Sequence, residues 1–310
     1  MKTAETLPDC GACPAGGNTA LVLCGGGSHG ALEVGFARAL SDLGVRYDQI
    51  LGTSIGAVNG AFLAGGMPAD DLAGLWRTVR LRQLLRPNWS WVVHPRARPG
   101  FLSLGAFGRL LERTLPIRRF EDLRIPLTIV TTDLITGKAC YWDGSGDIIP
   151  PLLASVSIPG IFPPVELDGH PHVDGGVAEN VPLARAAATG AHRTLMIECA
   201  CAIPCKRAPS GLIRTIGRAF EITLARKHRA ELLLHEGQTD IVRVVPELEH
   251  EPGFLSLSQT SSLLEIGYQQ SMAAMSQNPE RVASNAGADA VQARALQLTE
   301  SKRENHDESY

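Results

Sequence analysis

A serine enclosed by glycines, Gly52-Thr53-Ser54-Ile55-Gly56, fits the pattern G-x-S-x-G. In that pattern the serine sits on a sharp turn between strand and helix, where side chains at the flanking positions would clash. The turn exposes a hydroxyl at the top of a sheet, beside a helix N-terminus. Upstream, Gly25-Gly26-Gly27-Ser28-His29-Gly30 opens a helical pattern. Unpaired N–H groups in such a loop carry the positive end of a helix dipole and can hold the oxyanion of a tetrahedral ester intermediate. The same six residues also match G-x-G-x-x-G, the dinucleotide fingerprint, with Asp48 spaced for a ribose contact. Downstream, Asp174-Gly175-Gly176 ends an apolar strand and is followed by Asn180-Val181-Pro182.

A serine nucleophile needs a base. No histidine stands in an obvious motif after Ser54, so the Asp174 carboxylate is the natural candidate. His192, His228 and His235 follow Asp174 and keep a Ser-Asp-His triad open, and Asp133 is the alternative carboxylate. His170 and His172, beside Asp174, read as ordinary strand-turn histidines. His29 reads either as an exposed helix-start residue or as a group that titrates near neutrality beside the glycine loop.

These residues need a scaffold that presents turns along one edge. Thr19 to Cys24 is a short apolar run that stops at three glycines. Ser28 to Leu43 then has helical spacing, with Leu32, Phe36, Ala39, Leu40 and Leu43 on one side. Asp48 to Leu51 is a second strand candidate, followed by the serine turn and the small-residue helix AVNGAFLAG. Strand, glycine turn, helix, twice over, predicts an α/β layered fold. IPLTIVTTD (125–133), TLMIEC (194–199) and DIVRVV (240–245) read as further strands. VELDGHPHVDGG (165–176) reads as a hairpin turning at Asp168-Gly169, and 212–237 as a long amphipathic helix.

A chain of 310 residues, 44% hydrophobic, can bury a substantial core, and a net charge of −3 carries no nucleic-acid signature. No secretion signal and no run of about 18 apolar residues is seen, so a cytoplasmic protein is expected, with peripheral contact at membranes. Seven cysteines without a secretion signal read as free thiols. Cys10 and Cys13 form C-x-x-C, and Cys199, Cys201 and Cys205 cluster, but four ligands at metal-binding spacing are not evident.

Five blocks in order carry a resemblance. LCGGGSHGALEVG, GTSIGAVNGA, VTTDLITG, ASVSIPGIFPPV and VDGGVAENVP resemble the patatin-like phospholipases over roughly residues 19–190. The resemblance implies a three-layer α/β/α sandwich of the patatin type with a mainly parallel central sheet. It implies a Ser-Asp dyad, carried here by Ser54 and Asp174, and an oxyanion hole from the backbone of Gly25, Gly26 and Gly27. A lipid or fatty-acyl ester substrate is expected, and acyl transfer by such a dyad needs no metal or organic cofactor. The family usually has Arg or Lys where this chain has His29. Three functional readings follow: an acyl hydrolase, a nucleotide-binding protein using the glycine loop, and a non-catalytic protein that keeps the fold.

Residues 1–18 read as a flexible leader, 19–190 as the catalytic core, 191–298 as an α/β continuation of the same domain and 299–310 as a disordered tail. Residues 76–119 hold ten arginines against one acid, Glu112, together with Trp76, Trp89, Trp91, Phe101 and Phe107. Arginine mixed with tryptophan suits a membrane–water interface, so this stretch is the candidate lid and the segment expected to dock on anionic bilayers.

Overall fold

The computed structural model describes residues 18–80, 84, 86–88, 100–199, 208–235, 240–248, 253–277 and 297. The expected tail, most of the leader, Cys10, Cys13, Cys201, Cys205, Trp89, Trp91, Arg82, Arg96 and Arg98 lie outside the described residues.

Strand β1 (Thr19–Leu23) is buried at every position and runs through a glycine loop into helix α1 (Gly30–Leu43). Helix α1 stops at Gly44, whose left-handed φ of 69° ends it without the penalty a Cβ would bring. Strand β2 (Gln49–Thr53) then pairs parallel to β1, and Ser54 turns the chain into helix α2 (Ile55–Ala64). Helix α3 (Ala69–Thr78) follows, then the two-residue strands β3 (Arg86–Pro87) and β4 (Leu102–Ser103), which pair antiparallel, and helix α4 (Gly105–Thr114). The ten-residue α4 falls in a stretch whose sequence shows only weak periodicity.

Strand β5 (Leu127–Asp133) is buried throughout and pairs parallel to β2. Its other edge takes strand β6 (Ala139–Trp142), antiparallel. Helix α5 (Ile149–Ser155) leads to a hairpin of β7 (Val165–Leu167) and β8 (His170–Asp174). The hairpin turns at Asp168 and Gly169, with φ of 49° and 80°, two positive values in succession as a tight hairpin turn requires. Helix α6 (Leu183–Ala188), strand β9 (Arg193–Ile197), helix α7 (Leu212–His235), strand β10 (Asp240–Val244) and helix α8 (Thr260–Gln277) complete the described chain.

The eight-stranded sheet has the order β10-β9-β1-β2-β5-β8-β7, with β6 on β5. Strands β10, β9, β1, β2 and β5 are parallel, and the buried runs of β1, β2 and β5 are those of strands covered on both faces. From β1 the chain moves outward to β2 and β5, whereas from β9 it moves the opposite way to β10. Right-handed crossovers therefore put α1 and α2 on one face and α7 on the other. Helix α1 packs against α8, α3 and α2, and α6 packs against α7. The α1–α8 contact is backbone-close: a Cβ at Gly35 would meet the Leu264 carbonyl oxygen at 2.3 Å, and one at Gly267 would meet that of Leu32 at 2.3 Å. The chain direction reverses between β1's two neighbours, and in open α/β sheets the crevice beyond such a switch point is where ligands bind. The glycine loop leaves β1 there. Among the described residues no helix is long and apolar enough to cross a membrane.

Candidate active site

Ser54 sits in the tight turn between β2 and α2 with φ 54° and ψ −126°, a conformation a side-chain-bearing residue holds only when its surroundings force it. The flanking glycines make this possible. A Cβ at Gly52 would lie 2.4 Å from Ala57 Cα, and one at Gly56 would lie 2.3 Å from the Leu23 carbonyl oxygen. The Ser54 N–H donates to Ser155 Oγ at 2.8 Å, and that hydroxyl donates to the Val130 carbonyl of β5 at 2.7 Å. The turn is thus fastened to the neighbouring strand through one side chain from α5.

Register alone brings Asp174 to Ser54. Strand β2 pairs with the first part of β5 as far as Thr53 opposite Val130. On the same edge β8 pairs with the rest, beginning with Asp174 opposite Thr131. Strands β2 and β8 therefore run toward each other along β5 and meet end to end. Ser54 Oγ donates to Asp174 Oδ2 at 2.6 Å, and the Gly176 N–H donates to Oδ1 at 2.9 Å. The Asp174 carbonyl accepts from Thr132 Oγ1 at 2.9 Å, which fixes the backbone. Asp174 is fully buried. Burial raises its carboxyl to about 7, against the opposing pull of the Ser54 hydroxyl and the Gly176 N–H. A carboxylate that titrates near neutrality and touches a serine hydroxyl has the properties of a general base.

The glycine loop is held from below. Gly25 N–H donates to Asn180 Oδ1 at 2.9 Å, and Asn180 Nδ2 returns a weaker bond to the Gly25 carbonyl at 3.4 Å. This differs from the expected three-glycine donor set, because the Gly25 N–H is already taken. Among the described residues the N–H groups of Gly26 and Gly27 have no hydrogen-bond partner. Gly27, with φ 57°, allows no side chain: a Cβ there would sit 2.3 Å from the Phe254 carbonyl oxygen. Ser28 is anchored by its N–H to the Phe254 carbonyl at 2.9 Å and by its hydroxyl to the Gly253 carbonyl at 3.0 Å. His29 is 1% exposed, with Nδ1 3.0 Å from the Gly26 carbonyl, so the exposed helix-start reading does not hold. Gly30 starts α1, and a Cβ there would press on Ile55 at 2.7 Å.

Other expected contributors stand elsewhere. Asp48 precedes β2 and accepts from the Thr19 N–H at 2.8 Å. That is the opposite end of β1 from the glycine loop, roughly 17 Å away at strand rise, so it cannot serve a ribose beside that loop. Asp133 accepts from His170 Nδ1 and the Thr136 hydroxyl, both at 2.9 Å, and from the Ile135 N–H at 2.7 Å. His170 and these donors hold its carboxyl well below the usual range, which makes it a poor base. His172 Nδ1 lies 3.0 Å from Thr131 Oγ1. His192 precedes β9 at the sheet end remote from Ser54, and His235 ends α7 within electrostatic reach of Glu179. His228 is buried against Cys24 and Glu198. Ser155 and the clamping role of Asn180 went unread in the sequence, although both lie within blocks that carry the family resemblance.

Ser54 and Gly27 open into a pocket of about 1010 Å³, part of it open to solvent. Its walls are apolar, with Val58 and Phe62 from α2, Trp76 from α3, Leu111 from α4 and Phe254 before α8. Trp76 is pinned there, its Nε1 donating to Asn59 Oδ1 at 2.9 Å, and Phe107 lines the same space. These two aromatics of the arginine-rich segment therefore face the pocket.

The family model described as patatin-like phospholipase matches residues 21–187. An uncharacterized NTE family protein of Mycobacterium tuberculosis is 33% identical over 186 residues, covering 57% of this chain and 48% of the relative. The human patatin-like phospholipase domain-containing protein 6 is 34% identical over 188 residues, covering 59% of this chain and 13% of the relative. This chain thus matches about half the length of the first and a small part of the second. Among solved structures, VipD from Legionella pneumophila matches with a TM-score of 0.44 and 15% identity, covering 85% of this chain and 67% of that one.

Proposed function

From the premise that the chain belongs to the patatin-like phospholipase family, we propose that it is a lipid acyl hydrolase that cleaves carboxylic esters with Ser54 as nucleophile and Asp174 as base. The observation that carries the reading is the 2.6 Å contact between Ser54 Oγ and Asp174 Oδ2 at the wall of an apolar pocket. A polar reacting pair at the side of an apolar space suits a substrate with a long hydrocarbon arm and one polar bond to break.

Asp174 takes the hydroxyl proton as Ser54 Oγ attacks the ester carbonyl. The N–H groups of Gly26 and Gly27, beside the N-terminus of α1, hold the oxyanion. The intermediate collapses, the leaving alcohol receives the proton from Asp174, and an acyl-serine remains. Water then attacks the acyl carbonyl while giving its proton to Asp174, and the fatty acid departs as Asp174 returns that proton to Ser54 Oγ. Asn180 keeps the glycine loop in place, and Ser155 keeps the serine turn in place. Residues 19–190 are assigned as the catalytic core, continued by 191–298. The Arg-rich segment 76–119 is assigned to contact with anionic lipid, for which binding to anionic but not neutral vesicles, weakened by salt, is the check.

Labelling by a fluorophosphonate probe tests the chemistry. The wild type should label and turn over acyl esters, and folded Ser54→Ala should do neither, a loss of at least ~10³-fold in turnover. Labelling that persists in Ser54→Ala, or ester turnover within tenfold of wild type, would overturn the assignment.

A further inference from the structure

Cys24 lies immediately after β1, and Cys199 lies two residues beyond β9, its parallel neighbour. Both thiols therefore emerge at the same edge of the sheet. Glu33 reaches them from the first turn of α1. One ligand atom from each of the three residues lies within 4.8 Å of the other two. The cluster is sealed: Cys24, Glu33 and Cys199 are 0%, 0% and 1% exposed. Neither cysteine is in a disulfide. Asn59 Nδ2 donates to one Glu33 oxygen at 2.9 Å, while the other, Oε1, has no hydrogen-bond partner among the described residues. His228 from α7, 3% exposed, also contacts the Cys24 thiol. Its Nε2 is 3.7 Å from Glu198 Oε1, which Arg243 also holds at 2.9 Å.

A carboxylate sealed in a protein interior beside two thiols is costly, and the usual remedies are a proton or a cation. Two sulfurs, a carboxylate oxygen and an imidazole nitrogen form the donor chemistry of zinc and its neighbours, not of magnesium or calcium, which prefer oxygen alone. Metal–sulfur bonds of about 2.3 Å and metal–nitrogen bonds of about 2.0–2.1 Å set tetrahedral donor separations of roughly 3.3–3.8 Å. The three grouped donors, within 4.8 Å of one another, need small shifts to reach this, and His228 stands outside that grouping.

We propose that Cys24, Cys199 and Glu33 ligate a buried divalent transition metal, with His228 as the fourth donor. Binding releases the two thiol protons to solvent as the metal–sulfur bonds form. The cation ties the end of β1 to the end of β9 directly beneath the glycine loop. Gly26 rests so closely on Cys199 that a Cβ there would lie 3.0 Å from Cys199 Cβ. The sequence gives no hint of this set, because its cysteine motifs are Cys10-Cys13 and Cys199-Cys201-Cys205, whereas the thiols that meet are 175 positions apart in the chain (199 − 24). Metal binding here is independent of the acyl hydrolase reading and is expected equally in Ser54→Ala.

The test uses full-length protein in which Cys10, Cys13, Cys140, Cys201 and Cys205 are serine, stripped with chelator and titrated with cobalt(II). One equivalent should give an intense near-ultraviolet thiolate-to-cobalt band that zinc bleaches. Cys24→Ser or Cys199→Ser should abolish the band, and Glu33→Gln should weaken affinity at least tenfold while leaving the band. No band in the five-serine protein, or a band that survives Cys24→Ser, would overturn the proposal. Should the added variants fail to fold, X-ray absorption at the zinc edge of the five-serine protein decides it: two sulfur scatterers per zinc support the site, and any other count refutes it.

Discussion

At the scale of single residues, the serine hydroxyl and its carboxylate partner differ in what they demand of pH. Asp174 must be ionised to accept a proton, and burial places its titration at about 7. The proposed chemistry therefore requires kcat/KM to rise with pH through neutrality and level off above it, which a pH–rate profile on a soluble acyl ester would read. Stability moves the other way. A carboxyl raised in the folded state binds more protons folded than unfolded, so its contribution is fullest below about pH 4 and is lost as pH rises to about 7. Asp174→Asn keeps an oxygen for the Gly176 N–H and an amide for Ser54 Oγ, so it should stabilise the fold at pH 8 and have little effect at pH 4, while turnover falls by orders of magnitude. Melting curves at the two pH values check this, and equal shifts at both would contradict the raised titration. The pair was legible in the sequence because each member stands in a short motif of its own. The Gly25 hydrogen bond was not: its acceptor, Asn180, is 155 residues away, and nothing local marks which N–H groups of a glycine loop are already engaged.

Among elements, the parallel strands were plain, because strands covered on both faces read as unbroken apolar runs. Helix α8 was not. Its buried positions, Thr260, Leu263, Leu264, Gly267, Tyr268, Ser271 and Met275, follow helical spacing, but the small or polar Thr260, Gly267 and Ser271 take three of the seven. Hydrophobic periodicity fades where close packing selects small side chains instead. Helix α4 carries two poor helix formers, Gly105 and Gly108, within its ten residues. The loop between β1 and α1 depends on Asn180 for its shape, so Asn180→Ala should lower kcat about 10–100-fold with KM little changed, as loss of oxyanion geometry does. Steady-state kinetics decide it, and a rise in KM alone would point to substrate contact instead. The α2 face sets the room beyond the serine. Val58→Phe should raise KM for long-chain esters and spare short ones, since Val58 lines the pocket one helical turn past Ser54. An equal loss on acetyl and long-chain esters would show that the pocket does not receive the chain.

For the molecule as a whole, the two helical layers depend on how closely α1 meets α8. Alanine in place of a helical glycine gains up to about 1 kcal/mol in propensity. At Gly267 that gain is overwhelmed, because the new Cβ would strike the Leu32 backbone, and overpacking costs about 1–3 kcal/mol or more. Gly74 in α3 is the control: a Cβ there meets nothing within 4 Å, so Gly74→Ala should stabilise by about 0.4–1 kcal/mol. Urea unfolding of the two variants should move in opposite directions. The end-to-end meeting of β2 and β8 on one edge of β5 has a consequence for the order in which this protein comes into being. A chain leaving the ribosome releases Ser54 long before Asp174, and the carboxylate reaches the serine only after the β7–β8 hairpin has folded back antiparallel onto a strand already made. On the proposed mechanism, Ser54 would lack its base until that late docking.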